Sequence, residues 1–365
     1  MAVGILFLFP AVFYVVLVWR WTSALKRPIS TYRSEGILSV SVVVAFRNEG
    51  KKTSQLLEQL EQQVIPKHLT LECLFVDDHS NDDGAALLRQ TMAKTTCNAR
   101  MITAKGKGKK AAQMTGVLEA QSDLILTLDV DVLLHPKWLS TMVNTHLTNG
   151  WAYTAATVIP LPSHTRIGKL TSLEFLSLQA ATEGSFAIGR PFMSNGANSA
   201  FYRHAWHDAK QLRTDQSIAS GDDVFLVQAL QKLKMPMGHA AHPDAVVFTQ
   251  MPEHLSDVLI QRTRWAAKTT HYTSRYAQLV AIVVALLALF QLLGWIFSPY
   301  LWGLVWISKT IVDVEILKTM GRKYDIPTPM RYCLVLAVIY PFYTLLIVML
   351  TLLSPLFQQP NKQWK

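Results

Sequence analysis

The chain has 365 residues, half of them hydrophobic and only 16% charged, with a mean hydropathy of +0.21. That is too oily for an ordinary soluble enzyme and too polar for membrane helices alone, so a soluble domain joined to membrane segments is expected. Much of the +10 formal charge flanks the oily segments, which points to membrane lipid and not to nucleic acid, and Cys73, Cys97 and Cys333 are too scattered for a disulfide framework or zinc site.

From Ala2 to Trp19 no charged side chain occurs, and Arg20, Lys26, Arg27 and Arg33 follow. About 20 apolar residues cross a bilayer and flanking basic residues stay in the cytoplasm, so residues 1–21 read as an anchor with its N-terminus outside. A cleaved signal peptide would carry its basic residues before the apolar core, and a small-residue cleavage site after it.

Residues 37–270 then form a cytoplasmic domain. The run LSVSVVVAF (38–46) reads as a buried strand, followed by RNEG and a helix with apolar positions Leu56, Leu57 and Leu60. A second strand, 70–76, ends in Asp77, Asp78, His79 and Ser80. A helix is expected over roughly 82–94, another over 111–120 after a Lys-rich loop, and a strand over 124–130. This alternation predicts an α/β domain with a mostly parallel, doubly wound sheet. Ligands of such sheets sit beyond the C-terminal strand ends, where Arg47, Glu49, Asp77, Asp78, Asp129 and Asp131 fall.

Residues 165–183 carry apolar side chains at 167, 170, 173, 176 and 180, with Glu174 and Gln179 off that line. The periodicity fits a core helix or one lying on a membrane surface equally well. The region 271–355 is oily again and holds two or three membrane helices. Residues 277–297 and 332–353 are clear spans, whereas 299–317 carries Lys309, Asp313 and Glu315. Four spans in all are favoured, because a crossing at 299–317 keeps Lys318, Arg322, Lys323 and Arg331 cytoplasmic.

Four stretches carry chemistry. Asp129 and Asp131 flank Val130 at a strand end, where two hard oxygen ligands can share a divalent ion with a diphosphate; a solvated loop is the plainer reading of a lone D-x-D. KGKGKKAAQMTG (105–116) is a basic loop entering a helix, suited to phosphate although it lacks the Walker spacing. SGDDVFLVQAL (220–230) places Asp222 and Asp223 at a helix start, as caps or as a general base. In QRTRW (261–265), Gln261, Arg264 and Trp265 share a helix face, as membrane-interface anchors or as ligand contacts.

Taken in order, AFRNE, VDDHSNDDG, LDVD, NGAN, GDDVFL and QRTRW resemble the membrane-bound family 2 glycosyltransferases, a group that includes processive polysaccharide synthases and ceramide glucosyltransferases. The resemblance implies a GT-A, Rossmann-like fold over the cytoplasmic domain, with flanking transmembrane helices. It assigns nucleotide-sugar binding to Ala45, Arg47, Glu49, Asp77, Lys109 and Asp129, and a Mg²⁺ or Mn²⁺ ion to Asp129 and Asp131. Asp223 becomes the catalytic base, with Asp222 the other possibility. Gln261, Arg264 and Trp265 are assigned to diphosphate or acceptor contacts. Met114 stands where many relatives have asparagine, and no role is carried over there.

These parts imply inverting transfer of a hexose or N-acetylhexosamine from a nucleotide sugar, expected to be UDP-linked, to a lipid or glycan acceptor on a lipid. A multi-pass cell-membrane protein with a cytoplasmic catalytic domain follows. A processive polysaccharide synthase is the alternative, although the few C-terminal spans are too few to build a polymer channel alone. A non-catalytic membrane scaffold is more remote, because it leaves the carboxylates at successive strand ends unexplained.

Overall fold

The oily runs at 38–46, 69–77 and 124–129 become neighbouring parallel strands. The computed structural model describes residues 2–27, 38–66, 68–214 and 222–357. In chain order these form α1 (Ala2–Leu25), β1 (Leu38–Phe46), α2 (Lys52–Glu61), β2 (Leu69–Asp77), α3 (Gly84–Met92), β3 (Ala99–Thr103), α4 (Lys109–Glu119), β4 (Leu124–Asp129) and β5 (Leu133–Leu134). There follow α5 (Trp138–Asn149), β6 (Tyr153–Ala156), β7 (Val158–Pro160), α6 (Arg166–Ala187), β8 (Asn198–Tyr202), α7 (Arg203–Ala209), α8 (Asp222–Lys232), β9 (Met237–Ala240) and β10 (Val247–Thr249). The chain ends with α9 (Leu255–Ala267), α10 (Arg275–Leu293), α11 (Pro299–Tyr324) and α12 (Met330–Phe357). Arg33, the expected domain start at residue 37 and the side chain of Asp222 lie outside the described residues.

The chain divides into two compact units. One holds Ile29–Ile159 and Ser194–Gln250; the other holds Met1–Pro28, Pro160–Met193 and Met251–Pro360.

The first unit is built on a seven-stranded sheet in the order β3-β2-β1-β4-β8-β6-β9, with a small second sheet ordered β5-β10-β7. β3, β2, β1 and β4 run parallel, as do β6 and β9, while β8 is antiparallel to both its neighbours. A parallel strand covered on both faces must be apolar on both, which is why Val40, Val42, Val43, Val44 and Phe46 of β1 are all buried. Chain order turns at β1, between β2 and β4, and such a switch opens a crevice beyond the carboxyl ends of the strands.

Gly116 lets α4 lie directly on this sheet. A Cβ there would stand 2.3 Å from Val43 Cγ1 and 3.0 Å from a Val76 methyl. Gly116→Ala is therefore expected to destabilise the protein by about 1–3 kcal/mol, because overpacking against central strands outweighs the better helix propensity of alanine. A lowered thermal midpoint in detergent would show it; an unchanged one would mean that the helix shifts freely.

His146 of α5 is fully buried, with Nδ1 2.8 Å from Thr154 Oγ1 and its ring edge-on to Tyr202. Burial lowers its pKa to about 4. The unfolded chain binds this proton near pH 6.5 while the folded chain refuses it, so stability is fully present above that pH and falls as pH drops towards 4. The loss is about 3 kcal/mol from this group. In denaturation at pH 7 and pH 4.5, His146→Gln should show a smaller pH-induced drop than the wild type; equal drops would reject the assignment.

Spacing left Cys73 and Cys97 unpaired, but the fold makes them neighbours. Cys73 N donates to Asn98 O at 2.8 Å across β2 and β3, and the two Sγ atoms, both free thiols, lie 3.3 Å apart.

The second unit is helical: α1, α6 and α9 to α12. Among the described residues, three of its helices are long and apolar enough to cross a membrane, over Leu8–Leu25, Arg275–Ile296 and Met330–Leu353. α11 is as long but carries charge, and it is arranged inside out. Leu304, Ile307 and Ile311 are each more than 60% exposed, whereas Lys309 is 4% exposed. Lys309 Nζ pairs with Asp313, whose other oxygen accepts from Tyr14 OH at 2.6 Å. α6 is a core helix of this unit. Glu174, Gln179 and Glu183 are buried alongside Leu173, Leu176 and Ala180. Buried carboxylates need partners, and Glu183 accepts from Lys323 Nζ at 2.5 Å and Tyr324 OH at 2.6 Å.

Candidate active site

Register places the first acidic groups side by side. Ala45 pairs with Asp129 across β1 and β4, and Phe46 pairs with Asp77 across β1 and β2. The loops beyond these ends are stitched together: Asn48 N donates to Ser80 Oγ at 3.0 Å, Asn81 N to Asn48 Oδ1 at 2.8 Å and Gly50 N to Asp82 Oδ2 at 2.9 Å. Asp77 Oδ1 accepts from Ser80 N at 2.9 Å. Asp78, placed at the crevice by its strand end but given no role by the motif, is the buried clamp. Its Oδ2 accepts from Gly108 N at 2.8 Å and lies 3.7 Å from Arg47 Nη1.

That clamp fixes the start of α4. Gly108 has φ +95°, a conformation glycine adopts freely, and the helix begins at Lys109, two residues earlier than periodicity predicts. The first turn therefore carries Lys109, whose Nζ donates to Asp129 Oδ1 at 2.6 Å. Desolvation alone would lower the Lys109 pKa, but attraction to Asp129, then to Asp131 and Asp223, outweighs it and leaves the group raised and cationic.

The strand ends at Asp129, so Asp131 stands on a turn and not on an ideal strand as expected. Its side chain reaches solvent, yet desolvation by the surrounding protein, and then the charge of Asp129, push its carboxyl up from the usual range. Lys52 Nζ, 2.9 Å from Glu49 Oε2, offsets part of this.

Asp223, in the first turn of α8, completes the group. Its Oδ2 accepts from Gly196 N at 2.9 Å and its Oδ1 from Val224 N at 2.8 Å. The NGAN stretch thus positions a carboxylate: Asn195 Oδ1 accepts from Ala197 N at 3.0 Å, and buried Asn198 Nδ2 donates to Thr157 O and Ala245 O at 3.0 and 2.9 Å. A cavity lined by Gln113, Met114, Tyr153, Gly196, Arg213 and Asp223 adjoins it, and Tyr153 OH lies 2.6 Å from Ser194 Oγ. Met114 is an apolar wall here.

Ala45, Arg47, Glu49, Asp77, Lys109, Asp129, Asp131 and Asp223 are thus all in the first unit, on the strand ends, loops and helix starts around one switch point. Gln261, Arg264 and Trp265 lie on α9 of the helical unit. Beside them is a residue that the motif reading passed over, Arg262, which is buried. Gly196 was visible only as a letter of a quoted motif, because its work is done through its backbone N–H group.

Asp129 and Asp131 fit a hard divalent ion. They are oxygen donors one residue apart, and the repulsion that raises Asp131 is what such an ion relieves. Among the described residues no group of three or more His, Cys, Asp or Glu side chains is arranged to hold a metal ion by itself. Mg²⁺ and Mn²⁺ suit that donor set, since one or two carboxylates, substrate phosphates and water complete their shell.

A parallel sheet with its acidic crevice at the β1 switch point, joined to apolar helices, defines a GT-A fold. The structure of the mannosyltransferase PcManGT from Pyrobaculum calidifontis, in complex with GDP-Man and Mn²⁺, matches with a TM-score of 0.58 at 16% identity, covering 97% of this chain and 99% of that one. Residues 41–209, a little under half of the chain, match the family model for glycosyl transferase family 2. Among curated relatives, an undecaprenyl-phosphate 4-deoxy-4-formamido-L-arabinose transferase from Pseudomonas savastanoi is 32% identical over 28% of this chain. A 4,4'-diaponeurosporenoate glycosyltransferase from Staphylococcus haemolyticus is 33% identical over 27% of it. The match spans 31% of the first relative's length and 25% of the second's.

Proposed function

We propose that this protein is an inverting, metal-dependent glycosyltransferase that moves a sugar from a nucleotide sugar to a lipid or lipid-linked acceptor at the cytoplasmic membrane face. The observation that carries the reading is the convergence of Lys109, Asp129, Asp131 and Asp223 at the switch point of a family 2 domain. The apolar helices of the second unit favour a membrane-borne acceptor, and the two relatives named above act, by their names, on lipids.

Ala45, Arg47, Glu49 and Asp77 hold the nucleoside. Lys109 holds the diphosphate and stabilises its charge as the glycosidic bond breaks. Asp129 and Asp131 would hold a divalent ion, which when bound would supply Lewis-acid stabilisation of the same diphosphate. Asp223 takes the proton from the acceptor oxygen as it attacks the anomeric carbon, and single displacement inverts the configuration. Gln261, Arg264 and Trp265 are assigned to the acceptor or diphosphate on their motif.

The helical unit is multi-pass. Lys26 and Arg27 follow α1, Lys268 precedes α10 and Arg275 opens it, Lys318, Arg322 and Lys323 lie at the C-terminal end of α11, and Arg331 lies in the first turn of α12. α11 is the return crossing that keeps all three groups cytoplasmic, its apolar face outward and its Lys309–Asp313 pair inward.

The test is to incubate the purified protein with labelled UDP- and GDP-sugars and membrane lipid extract. Label that enters organic solvent in a Mn²⁺- or Mg²⁺-dependent manner supports the reading. Water-insoluble polymer would favour a processive synthase, and no transfer with any donor would sink the enzymatic reading.

A further inference from the structure

Arg262 lies inside the Q-x-x-R-W stretch but off the face shared by Gln261, Arg264 and Trp265, and it is 4% exposed. A buried guanidinium needs a carboxylate, and Glu174 of α6, itself 6% exposed, supplies it. Arg262 Nε lies 3.2 and 3.1 Å from the two Glu174 oxygens, and Nη2 donates to Oε2 at 2.5 Å. The remaining arm, Nη1, donates to Gln261 Oε1. The guanidinium also stacks on Trp265, its carbon 4.3 Å from the ring centroid, and the same ring packs on Phe175 at 6.1 Å. One side chain, clamped from a different helix, therefore touches two of the three motif residues.

The chemistry of that contact settles the polarity of Gln261. Arginine has donors only, so the atom facing it is the amide oxygen, and the Nε2 group is left as the donor that Gln261 offers elsewhere. Arg264 and the indole N–H of Trp265 are likewise donors only. A motif face built of donors recognises a ligand oxygen through its lone pairs.

We propose that Arg262, held by Glu174, is the positioning residue of this motif: it fixes Gln261 as a hydrogen-bond donor and sets the plane of Trp265. Lysine cannot replace it, because one ammonium cannot grip Glu174 with two arms, reach Gln261 and stack on the indole together. The inference deepens the glycosyltransferase reading, but its structural half stands without it.

The experiment uses full-length protein in detergent, labelled with 5-fluorotryptophan, the Trp265 signal being assigned with Trp265→Phe. Arg262→Lys keeps the charge beside Glu174, and Glu174→Asp keeps the carboxylate. Arg262→Lys should shift the Trp265 ¹⁹F resonance in a protein that still unfolds cooperatively, its thermal midpoint lowered by the lost Glu174 and Gln261 contacts, while Glu174→Asp shifts the resonance less. With the lipid extract and whichever labelled donor the wild type uses, Arg262→Lys and Gln261→Glu should raise the acceptor KM about tenfold, one charge-assisted hydrogen bond's worth, without changing donor KM. An unmoved Trp265 resonance in Arg262→Lys overturns the proposal whether or not the wild type transfers sugar. So does a moved resonance with wild-type KM values in both variants. A wild type that transfers nothing rejects the glycosyltransferase reading, and the resonance alone then decides the positioning role.

Discussion

Asp223→Asn is expected to lower kcat for sugar transfer by about 10²- to 10⁴-fold while leaving affinity for the donor nucleotide within about twofold. The carboxylate is poised between Gly196 N and Val224 N, which hold it in place without removing its charge. Asparagine keeps the shape and can still accept one of those bonds, but it cannot take a proton from an acceptor oxygen. Its amide group meets the second backbone N–H, a mismatch costing about 1–3 kcal/mol, so the thermal midpoint should fall moderately and must be measured beside the rate. Asp223→Glu, which restores a carboxylate at the wrong reach, separates chemistry from folding: it should be more stable than Asp223→Asn and nearly as slow. Retention of wild-type kcat in a folded Asp223→Asn would remove the base from this position.

The apolar strands and their acidic ends could be read from the sequence because burial on both faces writes itself as runs such as VVVAF, and because carboxylates after such runs need an explanation. The start of α4 could not. Two extra helical residues depend on Gly108 adopting φ +95° and on Asp78 receiving its N–H, a contact 30 residues away. The role of NGAN was hidden for the same reason: Gly196 acts on Asp223 through its backbone, which leaves no periodicity to detect. Nor could apolar spacing place α6, since its decisive side chains are acids whose partners, Arg262 and Lys323, lie 88 and 140 residues away. Long-range polar pairing is where a single sequence says least.

α11 illustrates the converse. By composition its Lys309, Asp313 and Glu315 count against a membrane crossing, yet Lys309 and Asp313 neutralise each other one helical turn apart and Tyr14 of α1 closes the pair. The cost of a charge in lipid applies to an unpaired charge, so pairing within the bundle leaves Leu304, Ile307 and Ile311 to set the helix's affinity for its surroundings.

Asp131→Asn is expected to raise the Mn²⁺ concentration needed for half-maximal donor binding by at least about tenfold, and EDTA should abolish binding by the wild type until Mn²⁺ or Mg²⁺ is returned. Both follow from the charges at the end of β4. Asp129 already shares one oxygen with Lys109 at 2.6 Å, so the unshared charge available to an ion is concentrated on Asp131. Asparagine preserves an oxygen ligand and removes that charge, and each tenfold loss of affinity corresponds to about 1.4 kcal/mol. Calorimetric titration of UDP or GDP at several Mn²⁺ concentrations reads this without turnover. The matching Lys109→Met variant should weaken nucleotide binding even at saturating Mn²⁺, because it removes the diphosphate contact proposed for Lys109 and leaves both aspartates in place. Equal Mn²⁺ dependence in Asp131→Asn and the wild type would move the ion away from Asp131 and leave Lys109 as the principal positive charge on the diphosphate.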